Sequence, residues 1–150
     1  MTTSNVLPSD LPEVSRLIAS AIRHSVAQSE GEARFLIDYI AKCLDAWAKD
    51  PEHSIHLKYM LGDAIGGVIL VKKYWNLQLL YVDPRYRGRG IGRALIHAVL
   101  PECRARSPKA KLMVNSSSVA VPFYAALGFS QTGAGLDRPG GAVPLEYSFA

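Results

Sequence analysis

The sequence predicts one α/β domain in which helices flank a mostly antiparallel sheet, and three observations predict it. Apolar residues recur at helical spacing over 11–21 and 32–48. Strand-like runs cover 55–61, 64–72 and 77–82. A Gly- and Arg-rich turn at 87–92 joins the last of these runs to another helical pattern. With 150 residues, 49% of them apolar, the chain can bury one substantial core, so 1–150 is expected to form a single domain.

Residues 5–7 offer a short first strand. Asp10 followed by Glu13 has the form of a capping box, and Pro12 falls in the first turn, where its missing N–H does no harm. Leu11, Val14, Leu17, Ile18 and Ala21 then give that helix one apolar face. Residues 23–31 read as a connection, and a second helix over 32–48 carries Leu36, Ile40, Leu44 and Trp47 on one side and ends before Pro51. The runs 55–61 and 64–72 flank Gly62-Asp63, a pair suited to a tight hairpin turn, and should pair antiparallel. A loop holding Tyr74, Trp75 and Asn76 leads into 77–82. Ile91, Leu95, Ala98 and Val99 mark the helix after the turn, which Pro101 should end or kink because it removes a backbone donor. A buried strand over 111–114 precedes a helix carrying Phe123, Tyr124 and Leu127, which stops at Gly128. Strands over 129–132 and 143–149 enclose a Gly- and Pro-rich loop.

Composition narrows the function classes. The apolar stretch 64–71 is far shorter than the roughly 20 residues of a membrane-spanning helix, so no membrane association is expected. Residues 1–5 lack the basic and then apolar run of a secretory signal, and a cytoplasmic location is the expectation. Cys43 and Cys103 lie far apart, without paired spacing to the four histidines, which argues against a disulfide framework or a zinc site; no metal is expected. The net charge of +4 permits an anionic partner, but the basic residues form no long patch with interleaved aromatics, which argues against nucleic acid. Arg85, Arg87, Arg89 and Arg93 instead crowd one short segment, as suits a local phosphate.

That segment is a phosphate cradle by its chemistry. A strand running into Arg87-Gly88-Arg89-Gly90-Ile91-Gly92 and then a helix places unobstructed backbone N–H groups at the positive end of the helix. Glycine there lets the backbone approach a pyrophosphate and permits positive φ. A Walker loop needs Gly-x-x-x-x-Gly-Lys before Ser or Thr, and no such string occurs. A dinucleotide fingerprint needs a third glycine where Arg93 stands, and the preceding strands read as a hairpin. The residues by themselves leave open a ligand-free turn with solvated arginines.

The segment 87–92, preceded by an apolar strand ending Leu80-Tyr81-Val82-Asp83-Pro84, resembles the Q/R-x-x-G-x-G/A signature of the GCN5-related N-acetyltransferases (GNAT). Downstream, 114–129, ending Tyr124-Ala125-Ala126-Leu127-Gly128-Phe129, resembles the second signature of that family. The resemblance implies the acyl-CoA N-acyltransferase fold, with a mixed, mostly antiparallel sheet flanked by helices, and acetyl-CoA as co-substrate. It implies that the backbone of Leu80, Tyr81 and Val82 pairs with the pantetheine arm, that the N–H of Val82 or a neighbour polarises the thioester carbonyl, and that Arg87, Gly88, Arg89, Gly90, Ile91, Gly92 and Arg93 hold the pyrophosphate. It gives Tyr124 contact with the cofactor and the role of general acid toward the departing sulfur, with direct attack by the acceptor amine and no covalent enzyme intermediate.

The family often has Asn seven residues before that Tyr, where this chain has Ser117; Asn115 lies two positions earlier. Either side chain contacts the pantetheine or caps the next helix. Where family members often carry a Glu on the strand before the loop, Asn76 and Gln78 stand here, so the general base is open among His24, His53, His56, Asp83, Glu102 and a water relay. The acceptor, an amine of a small molecule or of a peptide or protein, should be chosen by the first two helices, Lys73-Tyr74-Trp75 and the 133–141 loop. The expected assembly is a monomer or homodimer. The competing functions are a non-catalytic acyl-CoA-binding regulatory module and a nucleic-acid binder using the arginine cluster.

Overall fold

The computed structural model describes residues 3–150. One seven-stranded sheet runs through it in the order β1-β2-β3-β4-β5-β7-β6: β1 (Thr3–Asn5), β2 (Ser54–Leu61), β3 (Ala64–Lys72), β4 (Asn76–Val82), β5 (Lys111–Ser116), β6 (Ser130–Gln131) and β7 (Val143–Ser148). Every neighbouring pair is antiparallel except β4 with β5, which is parallel. The helices are α1 (Leu11–Ala21), α2 (Glu30–Lys49), α3 (Ile91–Arg106) and α4 (Val121–Ala126). The fold is therefore α/β with a mixed, mostly antiparallel sheet flanked by helices.

Strand alternation divides the core. On β3, Val68 and Leu70 face a cluster that includes Val14, Ile18, Ile40 and Leu44 of α1 and α2. Ile69 and Val71 face the opposite cluster, with Leu95, Ile96 and Val99 of α3. Burial on both faces explains why β3 reads as a nearly continuous apolar run. Gly67 permits the approach of α3, since a Cβ there would lie 2.7 Å from Ile91 Cγ2.

Several local expectations change in the fold. β1 pairs at Thr3–Asn5, earlier than 5–7, in register with β2. Asp10 does not cap α1. It accepts from the Leu7 N–H at 2.7 Å and pairs with Lys58 at 2.7 Å, while Glu13 reaches across to accept from the Ile65 N–H at 3.0 Å. A tertiary donor thus replaces the local box. The connection after α1 begins as a π-helical turn, Ile22–Val26, and α2 starts at Glu30, with the Ser29 hydroxyl accepting from the Glu32 N–H. Pro101 does not end α3, which continues to Arg106 because Cys103, fully buried, anchors the last turn in the core. The strand expected over 129–132 shortens to Ser130–Gln131.

The one parallel pair opens a gap in the sheet. β4 and β5 pair only at Asn76↔Met113 and Leu77↔Val114 and then diverge. On its other edge, β4 slips register between Leu70↔Leu79 and Val71↔Leu77, so Gln78 is an extra residue without a partner on β3. Such a bulge bends and twists the strand that carries it. Beyond Gln78, β4 has a free edge inside the sheet.

Candidate active site

The free edge presents backbone groups of known direction. The Asp83 N–H donates to Gly66 on the β3 side at 2.9 Å, and antiparallel pairs alternate between bonded and unbonded, so the N–H and C=O of Leu80 and Val82 point the other way, into the β4–β5 gap. These are the unpaired amides that an extended amide-bearing chain can use as a ladder. The Val82 N–H is the donor nearest the cradle.

The cradle follows within a few residues. Pro84–Tyr86 form a single 3-10 turn, Arg87 is extended, and Gly88 and Gly90 both take φ +74 before α3 begins at Ile91. A side chain at either glycine would be strained, yet a Cβ built there meets no heavy atom within 4 Å. The space in front of the α3 N-terminus is therefore open, as an anion-binding helix end requires. Gly92 is small for another reason: a Cβ would lie 3.1 Å from Phe123 Cζ of α4. The cleft over the cradle holds about 600 Å³ and takes in Arg87, Gly88, Gly90, Ile91, Gly92 and Arg93 together with Leu80, Val82 and Tyr124. Arg89 is not in its lining; it lies over the Tyr86 ring, 5.4 Å from its centroid. The Ile91 side chain is core, so only its backbone faces the cleft's chemistry.

From the cradle the cleft continues through the sheet. A central chamber of about 370 Å³ shares Leu80, Val82, Arg87, Phe123 and Tyr124 with the cradle and adds Tyr81, Asn115 and Ser117. A third arm of about 380 Å³, on the α1–α2 side, shares Gln78, Tyr81, Asn115 and Ser117 with that chamber. Asn115 and Ser117 thus stand at the junction of the two arms, and Ser117 makes no side-chain cap for the turn that follows it. Sequence reasoning missed the Ser25 hydroxyl, which the Arg87 guanidinium bonds across 62 positions. Only the fold brings that pair together.

Two tyrosines enter the chamber from opposite faces of the sheet. Tyr81 belongs to the α1–α2 side, as the alternation of β4 dictates, and Tyr124, on α4, packs on the α3 side. Tyr124 is 5% exposed and held edge-on between Phe123 and Phe129, at 5.1 and 5.2 Å between ring centroids. Burial pushes its phenol well above the usual value, and Tyr81 adds to the shift; burial likewise raises Tyr81 itself to about 12. Both phenols are protonated donors at neutral pH.

Among the described residues, no carboxylate or imidazole lines any of the three spaces. Asp83, next to Val82, turns away: the Arg85 guanidinium holds its carboxyl below the ordinary carboxylate value, at 2.9 Å. His56 is buried on β2 against Trp47, with both ring nitrogens unpaired, and burial lowers it to about 4. His53 packs beside Tyr74, Glu102 faces Arg106 at 3.9 Å, and His24 lies on the π-helical turn. None of the five candidate bases reaches the gap.

Residues 23–141 match the family profile of the acetyltransferase (GNAT) domain. A 54-residue stretch is 39% identical to glucosamine 6-phosphate N-acetyltransferase of Trypanosoma brucei brucei, and that match spans 36% of each chain. Among solved structures, a GCN5-related N-acetyltransferase from Rhodopseudomonas palustris superposes with a TM-score of 0.83 at 22% identity, covering 97% of this chain and 94% of that one. The PaiA N-acetyltransferase of Thermoplasma acidophilum, solved in complex with coenzyme A, gives 0.73 at 19% identity and 97% coverage of both. These two likenesses are of fold. Since the family profile spans most of the chain, including the cradle, the β4–β5 gap and Tyr124, the chain belongs to the GNAT acetyltransferase family.

Proposed function

We propose that this protein moves an acetyl group directly from acetyl-CoA to a primary amine of a small molecule or a peptide. The observation that carries the reading is the continuity of the cleft: the cradle opens past the free edge of β4 and Tyr124 into a separate arm on the other face of the sheet. Donor and acceptor thus have two entrances and one meeting point, the arrangement a direct transfer needs.

The residues fit the cofactor. The N–H groups at Gly88, Gly90 and the start of α3, with the Arg87 and Arg93 side chains, would hold the pyrophosphate. The Leu80 and Val82 amides would pair with the pantetheine arm, and Asn115 and Ser117 would bond its far end. Coenzyme A supplies an activated acyl group as a thioester. The Val82 N–H is aimed to stabilise charge developing on the thioester oxygen, a contribution on the order of 3 kcal/mol in comparable sites.

Tyr124 serves the leaving sulfur. A free thiol titrates near 8.5 and a phenol near 10, and burial raises the phenol further, so full transfer from Tyr124 alone is uphill by about 1.4 kcal/mol for each pH unit between them. Its O–H therefore stabilises the sulfur as a hydrogen bond and passes on a proton as the attacking amine gives up its own. With no carboxylate or imidazole in the lining, water takes the amine's proton and returns one to the Tyr124 oxygen as the phenol's own proton goes to the sulfur. The empty place of a base also favours one competing reading, an acyl-CoA-binding module that transfers nothing.

A thiol-release assay with acetyl-CoA and a panel of amines decides between them. Acceptor-dependent release at rates above hydrolysis establishes the transferase. Tight coenzyme A binding with no acceptor that stimulates release moves the regulatory reading ahead.

A further inference from the structure

The arm of the cleft on the α1–α2 side holds a cation and no anion. Among the described residues, Arg138 is the only charged side chain in its lining, and it joins no ion pair. Its backbone is fixed twice. The Gly141 N–H donates to the Arg138 C=O at 2.8 Å across Pro139 and Gly140, with Gly140 at φ +75 as a type II turn requires. The Ser118 N–H donates to the Gly140 C=O at 3.0 Å, tying this turn to the junction of β5 and α4. Gly140 also lets the turn close onto the opposite wall, since a Cβ there would lie 3.1 Å from Leu36 Cδ1 and 3.3 Å from Val26 Cγ1.

The facing wall is aromatic. Phe35 and Tyr39, one helical turn apart on α2, line the arm and are 56% and 53% exposed, so their rings face open space instead of core. Arg138 is near enough to Tyr39 to offset part of the rise that burial gives its phenol. A polycationic acceptor would meet a like charge here and find no carboxylate for its ammonium groups. A purely polar one would leave two rings in water.

Resting on the acetyl transfer proposed above, we infer that the acceptor is a primary amine with an anionic group on an apolar or aromatic body. The anion pairs with Arg138, the body lies against Phe35 and Tyr39, and the amine reaches the chamber between Tyr81 and Tyr124. A carboxylate and a phosphate offer the guanidinium the same paired oxygens, so the shared chemistry is an anion that accepts a two-pronged bond.

Matched acceptors test this by kcat/KM for acetyl-CoA-dependent thiol release: phenylalanine against phenethylamine, then 6-aminohexanoate and 6-aminohexyl phosphate against hexylamine, with spermidine as polycation. The expected result is a preference of tenfold or more for the anionic member, with the hexyl set showing whether carboxylate or phosphate is favoured. R138A should collapse that preference to below twofold while acetyl-CoA affinity holds. Equal or better use of the amines that lack an anionic group, or of spermidine, overturns the inference, as does a preference that survives R138A. Should the protein bind acetyl-CoA and acetylate nothing in the panel, calorimetric titration of phenylalanine and 6-aminohexyl phosphate onto the coenzyme A complex decides. Saturable binding that R138A removes supports the inference, and no binding overturns it. Failure to bind acetyl-CoA at all refutes the transferase reading itself.

Discussion

Replacing Gly90 by valine separates the cradle's role in binding from its role in the fold. Gly90 sits at φ +74 with no heavy atom within 4 Å of a built Cβ, so the substitution adds conformational strain and no collision. An L-residue in that region costs about 1–2 kcal/mol, toward the upper end for a β-branched side chain. Against a typical 5–15 kcal/mol of stability, the fold should survive with a Tm lowered by roughly 2–8 °C. The space that valine enters is where the pyrophosphate is proposed to meet the first turn of α3. Displacing one or two charge-assisted hydrogen bonds, at about 1.5–3 kcal/mol each, predicts acetyl-CoA affinity weaker by roughly 10- to 10⁴-fold. Gly62, at φ +60 in the distant β2–β3 hairpin and equally open, provides the control: Gly62→Val carries the same strain and should leave affinity unchanged. Scanning calorimetry and titration calorimetry read the two quantities. If Gly90→Val binds acetyl-CoA within twofold of the parent while melting in the expected range, the pyrophosphate does not sit at α3.

Tyr124→Phe should lower turnover by about 10²-fold or more with acetyl-CoA affinity nearly unchanged, and because burial keeps the phenol protonated, the parent's kcat should show no fall between pH 7 and 9. Unchanged turnover in the variant removes the role given to Tyr124, and a fall in kcat over that range argues against a raised phenol. His56 is held neutral in the fold, with its value lowered from 6.5 to about 4, so the unfolded chain binds the extra proton first as pH drops. Its contribution is complete above pH 6.5 and is lost toward pH 4, at roughly 3 kcal/mol in total. Urea titrations should show a shallower loss for His56→Leu over that window, and parallel curves would count against the assignment. Gly141→Ala should raise KM for the acceptor and spare acetyl-CoA affinity, since at φ +80 a Cβ collides with Ser118, lying 3.2 Å from both its N and its Cβ. A KM unchanged in that variant would show that the Arg138 turn does not shape the acceptor arm.

What could be read in the chain was what depends on neighbours in sequence. The hairpin at Gly62-Asp63 is a turn between two apolar runs, and β2 and β3 pair around it antiparallel. The two left-handed glycines, Gly88 and Gly90, announce a backbone that other residues adopt only at a cost. The failures are tertiary. Asp10 and Glu13 have the spacing of a capping box, yet Lys58 and the Ile65 N–H compete for the two carboxylates and win. Pro101 reads as a helix end by its chemistry, but the burial of Cys103 outweighs one missing hydrogen bond. Arg138 looks like a loop arginine until the fold ties its turn to Ser118 and α2.

The same contrast explains why the donor was legible and the acceptor was not. The groups proposed to grip coenzyme A are mostly backbone: the amides of Leu80 and Val82 and those at the head of α3, made available by glycines in one short stretch. Backbone recognition demands special φ values and an open strand edge, and both constrain residue type locally. The acceptor arm is built from side chains on α2, on β4 and on the turn at Arg138, which are spread over about a hundred positions of the chain. None of those positions requires an unusual backbone except the glycines that hold the turn. Their residue types are therefore free to change with the acceptor while the gap, the cradle and Tyr124 stay in place. On this reasoning the aromatic wall and its single cation record a particular acceptor, and exchanging Arg138 and Phe35 together should change which amine is used without moving the site of transfer.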